Sequence, residues 1–166
     1  EDEMLPVMDQ ALFNLAEVIK RDLGLGVQEL GGAGAAGGLG AGLVAFGGGK
    51  LRSGIGLVFE MLEFEARLAT GVDLVITGEG QINAQSLFGK VPVGVARLAK
   101  KYHLPVLAVV GSIGPGAEKT YEAGIDAIMC IVPGPLCLDE AMTRAGELVS
   151  DATARVMRMI TLNQKL

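Results

Sequence analysis

The sequence has no tryptophan, two cysteines, one histidine and six prolines. Cys130 and Cys137 flank Pro133-Gly134-Pro135. Two cysteines are too few for a disulfide framework, a zinc knuckle or a CxxC redox pair, so both are read as reduced core or loop residues. Positive charge is also scarce: 14 basic against 19 acidic residues leave a net charge of −5. That balance lacks the basic footprint of nucleic-acid binding and disfavours an anionic membrane surface. It still permits phosphate binding, because helix N-termini and local lysines act at short range. A long Leu/Ile/Phe run is missing as well. Residues 30–49 are uncharged, but half of those twenty positions are glycine, which does not suit a membrane span. No signal peptide precedes the first helical pattern, so a cytoplasmic setting is expected. The first methionine stands at position 4, which suggests that something upstream has been removed.

What the chain has in excess is glycine, 25 of 166 residues, about twice the usual share. The absence of a G-X-Y period excludes collagen, and apolar-periodic segments separate the clusters. Half the residues are hydrophobic, enough for the core of one ordinary domain.

Leu12, Leu15, Ala16, Ile19 and Leu23 recur at helical spacing, closed by Gly24-Leu25-Gly26. Residues 27–30 read as a short strand and 39–46 as a buried helix. Residues 55–61 and 64–69 read as two helical pieces joined near Glu63. Val72-Asp73-Leu74-Val75-Ile76-Thr77 is a buried strand ending at Gly78. Residues 91–102 form a helix with Pro92 near its start and Lys100-Lys101 near its end. Strands at 105–110 and 125–132 alternate with a short helix at 117–123. A last helix carries the stripe Met142, Ala145, Leu148, Val149, Ala152, Val156 and Met159. Met157 and Met159 are read as packing or a frayed end. The alternation predicts a single α/β domain over residues 1–166, with a mostly parallel sheet and helices on both faces. Residues 1–26 are the part that could belong to a neighbouring module. Ligands in such sheets bind at the carboxyl ends of strands, which would set residues 31–38, 78–90 and 111–116 along one edge.

Two segments carry the chemistry. Gly32-Ala33-Gly34-Ala35-Ala36-Gly37 fits G-x-G-x-x-G, a pattern suited to phosphate. The strand with a terminal acid expected about 20 residues later in a dinucleotide site is missing, because Glu60 falls in a helical pattern. Contact with phosphate or substrate competes with close packing, in which Gly34, Gly38 and Gly42 form a smooth stripe pressed on a sheet. The second segment is Thr77-Gly78-Glu79-Gly80-Gln81-Ile82-Asn83-Ala84-Gln85-Ser86-Leu87-Phe88-Gly89-Lys90. It leaves a strand and enters a helix with one carboxylate, several amides, two hydroxyls and a lysine at the helix start. Those groups suit phosphates, a divalent cation and a hydroxylated substrate. The alternatives are a loop carboxylate for Glu79 and a solvated charge for Lys90. It is not a Walker A loop, since Val91 follows Gly89-Lys90. His103 reads as a helix-terminal residue, and residues 111–116 as a turn or a nucleotide contact.

Gly32-Ala-Gly-Ala-Ala-Gly-Gly-Leu-Gly40, Leu51-Arg-Ser-Gly-Ile55, the segment from Thr77 to Lys90, Val93-Gly-Val-Ala-Arg97 and Ala123-Gly-Ile-Asp126 together resemble the bacterial glycerate kinase family. The resemblance runs through nearly the whole chain. It implies phosphorylation of D-glycerate from ATP and Mg²⁺, commonly to 2-phosphoglycerate, on a Rossmann-like, two-domain α/β fold with its site in the interdomain cleft. Family members are longer and open with an Asp-Ser-Phe-Lys-Gly type motif, so only their C-terminal part is matched. On this resemblance Glu79, Asn83 and Lys90 are the catalytic candidates, with Glu79 also the metal ligand. Gln85 and Ser86 would bind substrate, and Gly32, Gly34, Gly37, Gly38, Gly78 and Gly80 would bind phosphate. The family's Gly-Arg-Ile-Asp is Gly80-Gln81-Ile82-Asn83 here. An amide is no general base and a poorer Mg²⁺ ligand than a carboxylate, so Asn83 orients substrate or the site is weakened. The competing expectation is a non-catalytic, self-associating fragment.

Overall fold

Three short runs rich in β-branched residues make a parallel sheet of order β1-β2-β3: β1 Val75–Ile82, β2 Val106–Ile113 and β3 Ala127–Cys130. The computed structural model describes residues 4–162. They divide into two compact units on either side of Ser53–Gly54, whereas the sequence was read as one domain with a possible break after residue 26.

The second unit holds the sheet. β1 pairs with β2 from Val75↔Val106 to Ile82↔Ile113, and β2 with β3 from Leu107↔Ala127 to Val110↔Cys130. Side chains alternate across a strand, so β2 feeds two cores. Val106, Ala108 and Val110 pack with Val75 and with Val93, Val95, Ala96 and Ala99 of α5 (Val91–Lys100). Leu107 and Val109 pack with Leu148, Ala152 and Val156 of α8 (Ala145–Leu162). Each fully buried Val or Leu contributes roughly 1.5–3 kcal/mol, which is why the central strand is the most apolar. Helices α3 (Gly54–Met61) and α4 (Phe64–Leu68) stack Phe59 on Phe64, with ring centroids 5.0 Å apart. Glu63 joins them at φ 49°, at the predicted junction.

Several expectations are corrected. β1 does not stop at Gly78 but runs on to Ile82, and β2 continues to Ile113, because glycines there let two backbones approach. The last helix is two pieces, α7 (Leu138–Thr143) and α8, broken at Arg144. The Arg144 guanidinium clasps Glu147 and Glu140 across the break, and both carboxylates raise its pKa. Short α6 (Lys119–Glu122) lies within the predicted span. His103 is exposed just beyond α5 at φ 57°, where the helix has unwound.

The first unit contains α1 (Leu5–Leu23) and α2 (Ala35–Gly47), with no strand among its described residues. α1 ends as its sequence requires, with Lys20 and Arg21 in the last turn and left-handed Gly24 donating to the Lys20 carbonyl. Residues 27–30 are not a strand. Val27 is buried with Ala16 and Ile19, and the Leu30 N–H closes a turn on the Val27 carbonyl. Nor is α2 a buried helix: Leu39, Leu43 and Phe46 are all more than half exposed. The Gly34-Gly38-Gly42 stripe likewise fails, since Ala36, Gly37 and Gly38 have left-handed backbones and a Cβ at Gly34 or Gly42 would meet nothing. Only Gly38 is pressed, against Leu12 of α1.

Asp126 ties the lower end of the sheet. Its carboxylate accepts from Lys100 Nζ at 2.6 and 2.8 Å and from the Val106 N–H at 2.7 Å. Burial alone would raise its pKa, but the bonds from Lys100 and Val106 outweigh that and hold it below 3.8. A depressed carboxylate contributes stability above its unfolded pKa and loses it as pH falls through the folded value. Asp126→Asn is therefore expected to lower the urea midpoint at pH 7. The deficit should shrink as pH drops from about 5 through the acid range, measurable by circular dichroism at each pH.

Candidate active site

The strand ends and the helix that follows bring the second segment together. Glu79 lies near the carboxyl end of β1, and Lys90 is the N-terminal cap of α5. Lys90 Nζ lies 3.5 Å from Glu79 Oε1. The other carboxylate oxygen, Oε2, is buried with no hydrogen-bond partner. A buried carboxylate oxygen without a donor is costly, and a ligand proton or cation would satisfy it. Among the described residues no three His, Cys, Asp or Glu side chains gather as a metal cage. The donor set fits a hard divalent ion bound mostly by phosphate oxygens and water, with one carboxylate from the protein.

Beyond Glu79 the chain folds into a one-turn 3-10 helix, Ala84–Leu87, capped by Asn83. Asn83 Oδ1 accepts the Gln85 N–H at 2.9 Å, and its Nδ2 donates to Gln81 Oε1 at 3.1 Å. Ser86 has no exposed surface, and its Oγ accepts the Asn83 N–H at 3.2 Å. Expected as a substrate contact, Ser86 sits inside the turn and holds Asn83 in place. Gln85 is exposed.

The turn after β2 backs this loop. The Ala84 N–H donates to the Pro115 carbonyl, and the Gly114 N–H to the Ile82 carbonyl. A Cβ on Gly111 would lie 2.5 Å from the Gly80 carbonyl oxygen, and one on Gly78 2.8 Å from that of Val109. Gly78 and Gly80, expected to bind phosphate, thus sit within β1, and Gly78 is also needed for strand contact. Cys130 Sγ donates to the Gly111 carbonyl at 3.4 Å, while Cys137 is exposed, and both are free thiols. Sequence reasoning reads residues 111–116 as a turn or a nucleotide contact without singling out Ser112. It pairs with Gln81 across the strands, and the signal was its parity in a strand that continues past Val110.

The other phosphate candidates lie in the first unit. Gly32 lines a cleft of about 550 Å³ with Ala36, Gly40, Arg52 and Ser53. Gly34 and Gly38 line a different cleft of about 410 Å³, which also contains Asp9 and Glu29. The arginine side favours an anion and the acidic side does not. Gly37 stands between them in sequence, in the left-handed turn. The expected edge joining residues 31–38 to a strand end has no strand to follow.

Residues 1–161 match the model of the glycerate kinase family. The chain belongs to that family. It is 44% identical over 157 residues to a glycerate kinase of Halalkalibacterium halodurans, covering 95% of this chain and 41% of that protein. It is 40% identical to the glycerate 2-kinase of Escherichia coli, with 99% and 43% covered. A crystal structure assigned to glycerate kinase 2 of Salmonella typhimurium LT2 superposes with a TM-score of 0.68 at 42% identity, covering all of this chain and 42% of that one. This glycerate kinase family chain thus spans about two fifths of the length of the relatives it matches. Among its described residues no helix is long and apolar enough to cross a membrane.

Proposed function

We propose that this chain supplies part of the active site of an ATP- and Mg²⁺-dependent kinase that phosphorylates D-glycerate, with 2-phosphoglycerate the favoured product. The observation that carries the reading is the Glu79–Lys90 pair at a strand end, with the Glu79 Oε2 orphaned. Phosphoryl transfer asks a protein mainly for positioning and charge neutralisation. Nucleotide and Mg²⁺ would supply the phosphoryl group and a Lewis acid. Lys90 offsets charge on transferring oxygens, and Glu79 holds the cation or a water bound to it. Asn83 and Gln85 orient the glycerate hydroxyls or carboxylate, and Ser86 acts through the turn it closes. Gly32, Gly34, Gly37, Gly38, Gly78 and Gly80 present backbone to phosphate, with Gly32 favoured by its arginine-bearing cleft. A Rossmann-like sheet in a two-domain enzyme and a cytoplasmic setting go with this reading.

A second reading is a non-catalytic, self-associating fragment. It is favoured by the two-fifths coverage of the relatives and by exposed apolar residues such as Phe46, Met61, Phe88 and Leu138. A coupled ADP-release assay with D-glycerate, run beside light scattering, separates the two. Glycerate-dependent release is the expected result. No release at high protein concentration, together with a concentration-dependent mass, overturns it in favour of the fragment.

A further inference from the structure

We propose that Ser112 of β2 is a further substrate-binding residue, its hydroxyl meeting a hydroxyl of a small hydroxy acid held beside Glu79. The role rests on the glycerate kinase reading above and deepens it. The register carries the argument. Glu79 pairs with Val110 and Gln81 with Ser112 at one constant offset, but the alternation of β1 slips past Glu79, since Val75 and Ile82, of opposite parity, are buried in the same core while Gln81 is exposed. Val75 of β1 and Val106, Ala108 and Val110 of β2 face the α5 core. Ser112 keeps the parity of Val106, Ala108 and Val110, and Glu79 has the parity of Val75 and reaches Lys90, so Glu79 and Ser112 share the face on which α5 lies, at the end where Lys90 caps that helix.

Neighbouring parallel strands run about 4.8 Å apart, so Ser112 stands beside Gln81 and one strand over from Glu79. Its side chain makes no hydrogen bond among the described residues and is half-buried. Gln81 uses its Oε1 to accept from Asn83 and leaves Nε2 without an internal acceptor among the described residues. The orphaned Glu79 Oε2 completes a set of polar groups with unmet hydrogen-bonding capacity. A hydroxyl both donates and accepts, so it can give a hydrogen bond to a substrate oxygen and take one from it. Neither Glu79 as a carboxylate nor Lys90 can do both. The Gly111–Gly80 contact fixes the strand spacing, which makes Ser112 a rigid element of the site.

The test is titration of the chain with D-glycerate, D-lactate (no 3-hydroxyl) and 3-hydroxypropionate (no 2-hydroxyl), followed by amide chemical shifts. In wild type the Gly111 and Ser112 amides are expected to move with D-glycerate. Ser112→Ala should weaken D-glycerate by about 3- to 10-fold, the worth of one neutral hydrogen bond. It should leave unchanged the affinity for the one analogue that lacks the contacted hydroxyl, and Ser112→Thr should restore glycerate binding. Equal weakening of all three ligands, or glycerate binding in Ser112→Ala at the wild-type level, overturns the role of Ser112 alone. If wild type shows no glycerate-dependent shift anywhere, the substrate reading falls and Ser112 with it.

Discussion

Lys90→Ala is expected to lower glycerate-dependent ADP release by about 10²- to 10³-fold, the usual loss when a preorganised charge at a reacting oxygen is removed. The lysine is held where that loss should be large. It caps α5, so its backbone is fixed by the helix, and its ammonium lies 3.5 Å from a carboxylate whose second oxygen is buried. Alanine removes the charge and takes from Glu79 its ion-pair partner. Glu79→Gln separates the two effects. If the lysine acts on substrate oxygens directly, Glu79→Gln keeps part of the turnover that Lys90→Ala loses. It should instead raise the Mg²⁺ concentration needed for half-maximal rate. Initial rates across a Mg²⁺ series, with thermal melts to confirm folding, make the comparison. Near-wild-type turnover in Lys90→Ala would remove the lysine from the chemistry.

Local pattern was a good guide wherever the deciding interaction was itself local. The 3.6-residue spacing of α5, the Glu63 junction and the β-branched start of β1 were all legible, because burial on one face is written into the sequence. Residues 27–30 misled because a strand needs a partner strand, and a four-residue apolar run cannot announce that none is near. Gly78 misled for the opposite reason. Glycine usually punctuates an element, but here it stays within the strand because a neighbouring carbonyl leaves no room for a Cβ. Glu79 and Lys90 could be picked from residue type and position at a strand end and a helix start. The division of labour inside the loop could not. A serine reads the same whether its oxygen faces a ligand or closes a cap, and only the fold shows that Ser86 is enclosed. Ser112 was not singled out within residues 111–116, because Gly111 and Gly114 around it made a strand end look like a turn.

That close approach yields the largest stability effect expected in the chain. In Gly111→Ala the new Cβ would lie 2.5 Å from the Gly80 carbonyl oxygen and 3.4 Å from its carbon. Both partners are backbone of paired strands, so no side chain can swing aside. The strands would have to separate, and β2 supplies buried residues to both cores of the unit. Forcing extra atoms into a packed core costs about 1–3 kcal/mol, and a backbone-against-backbone clash belongs at or above the top of that range. Gly111→Ala is therefore expected to lower unfolding stability by roughly 3 kcal/mol in urea titrations and to shift the amides of Gly80, Gln81 and Asn83. Gly80→Ala is the control, because a Cβ there meets nothing within 4 Å. It should leave stability within about 1 kcal/mol of wild type, or raise it slightly by restricting the unfolded chain. If the two variants unfold alike, the tight strand contact is not what sets the spacing of the site. A loss of stability confined to Gly111→Ala ties the glycine excess here to the geometry that sets Ser112 beside Gln81.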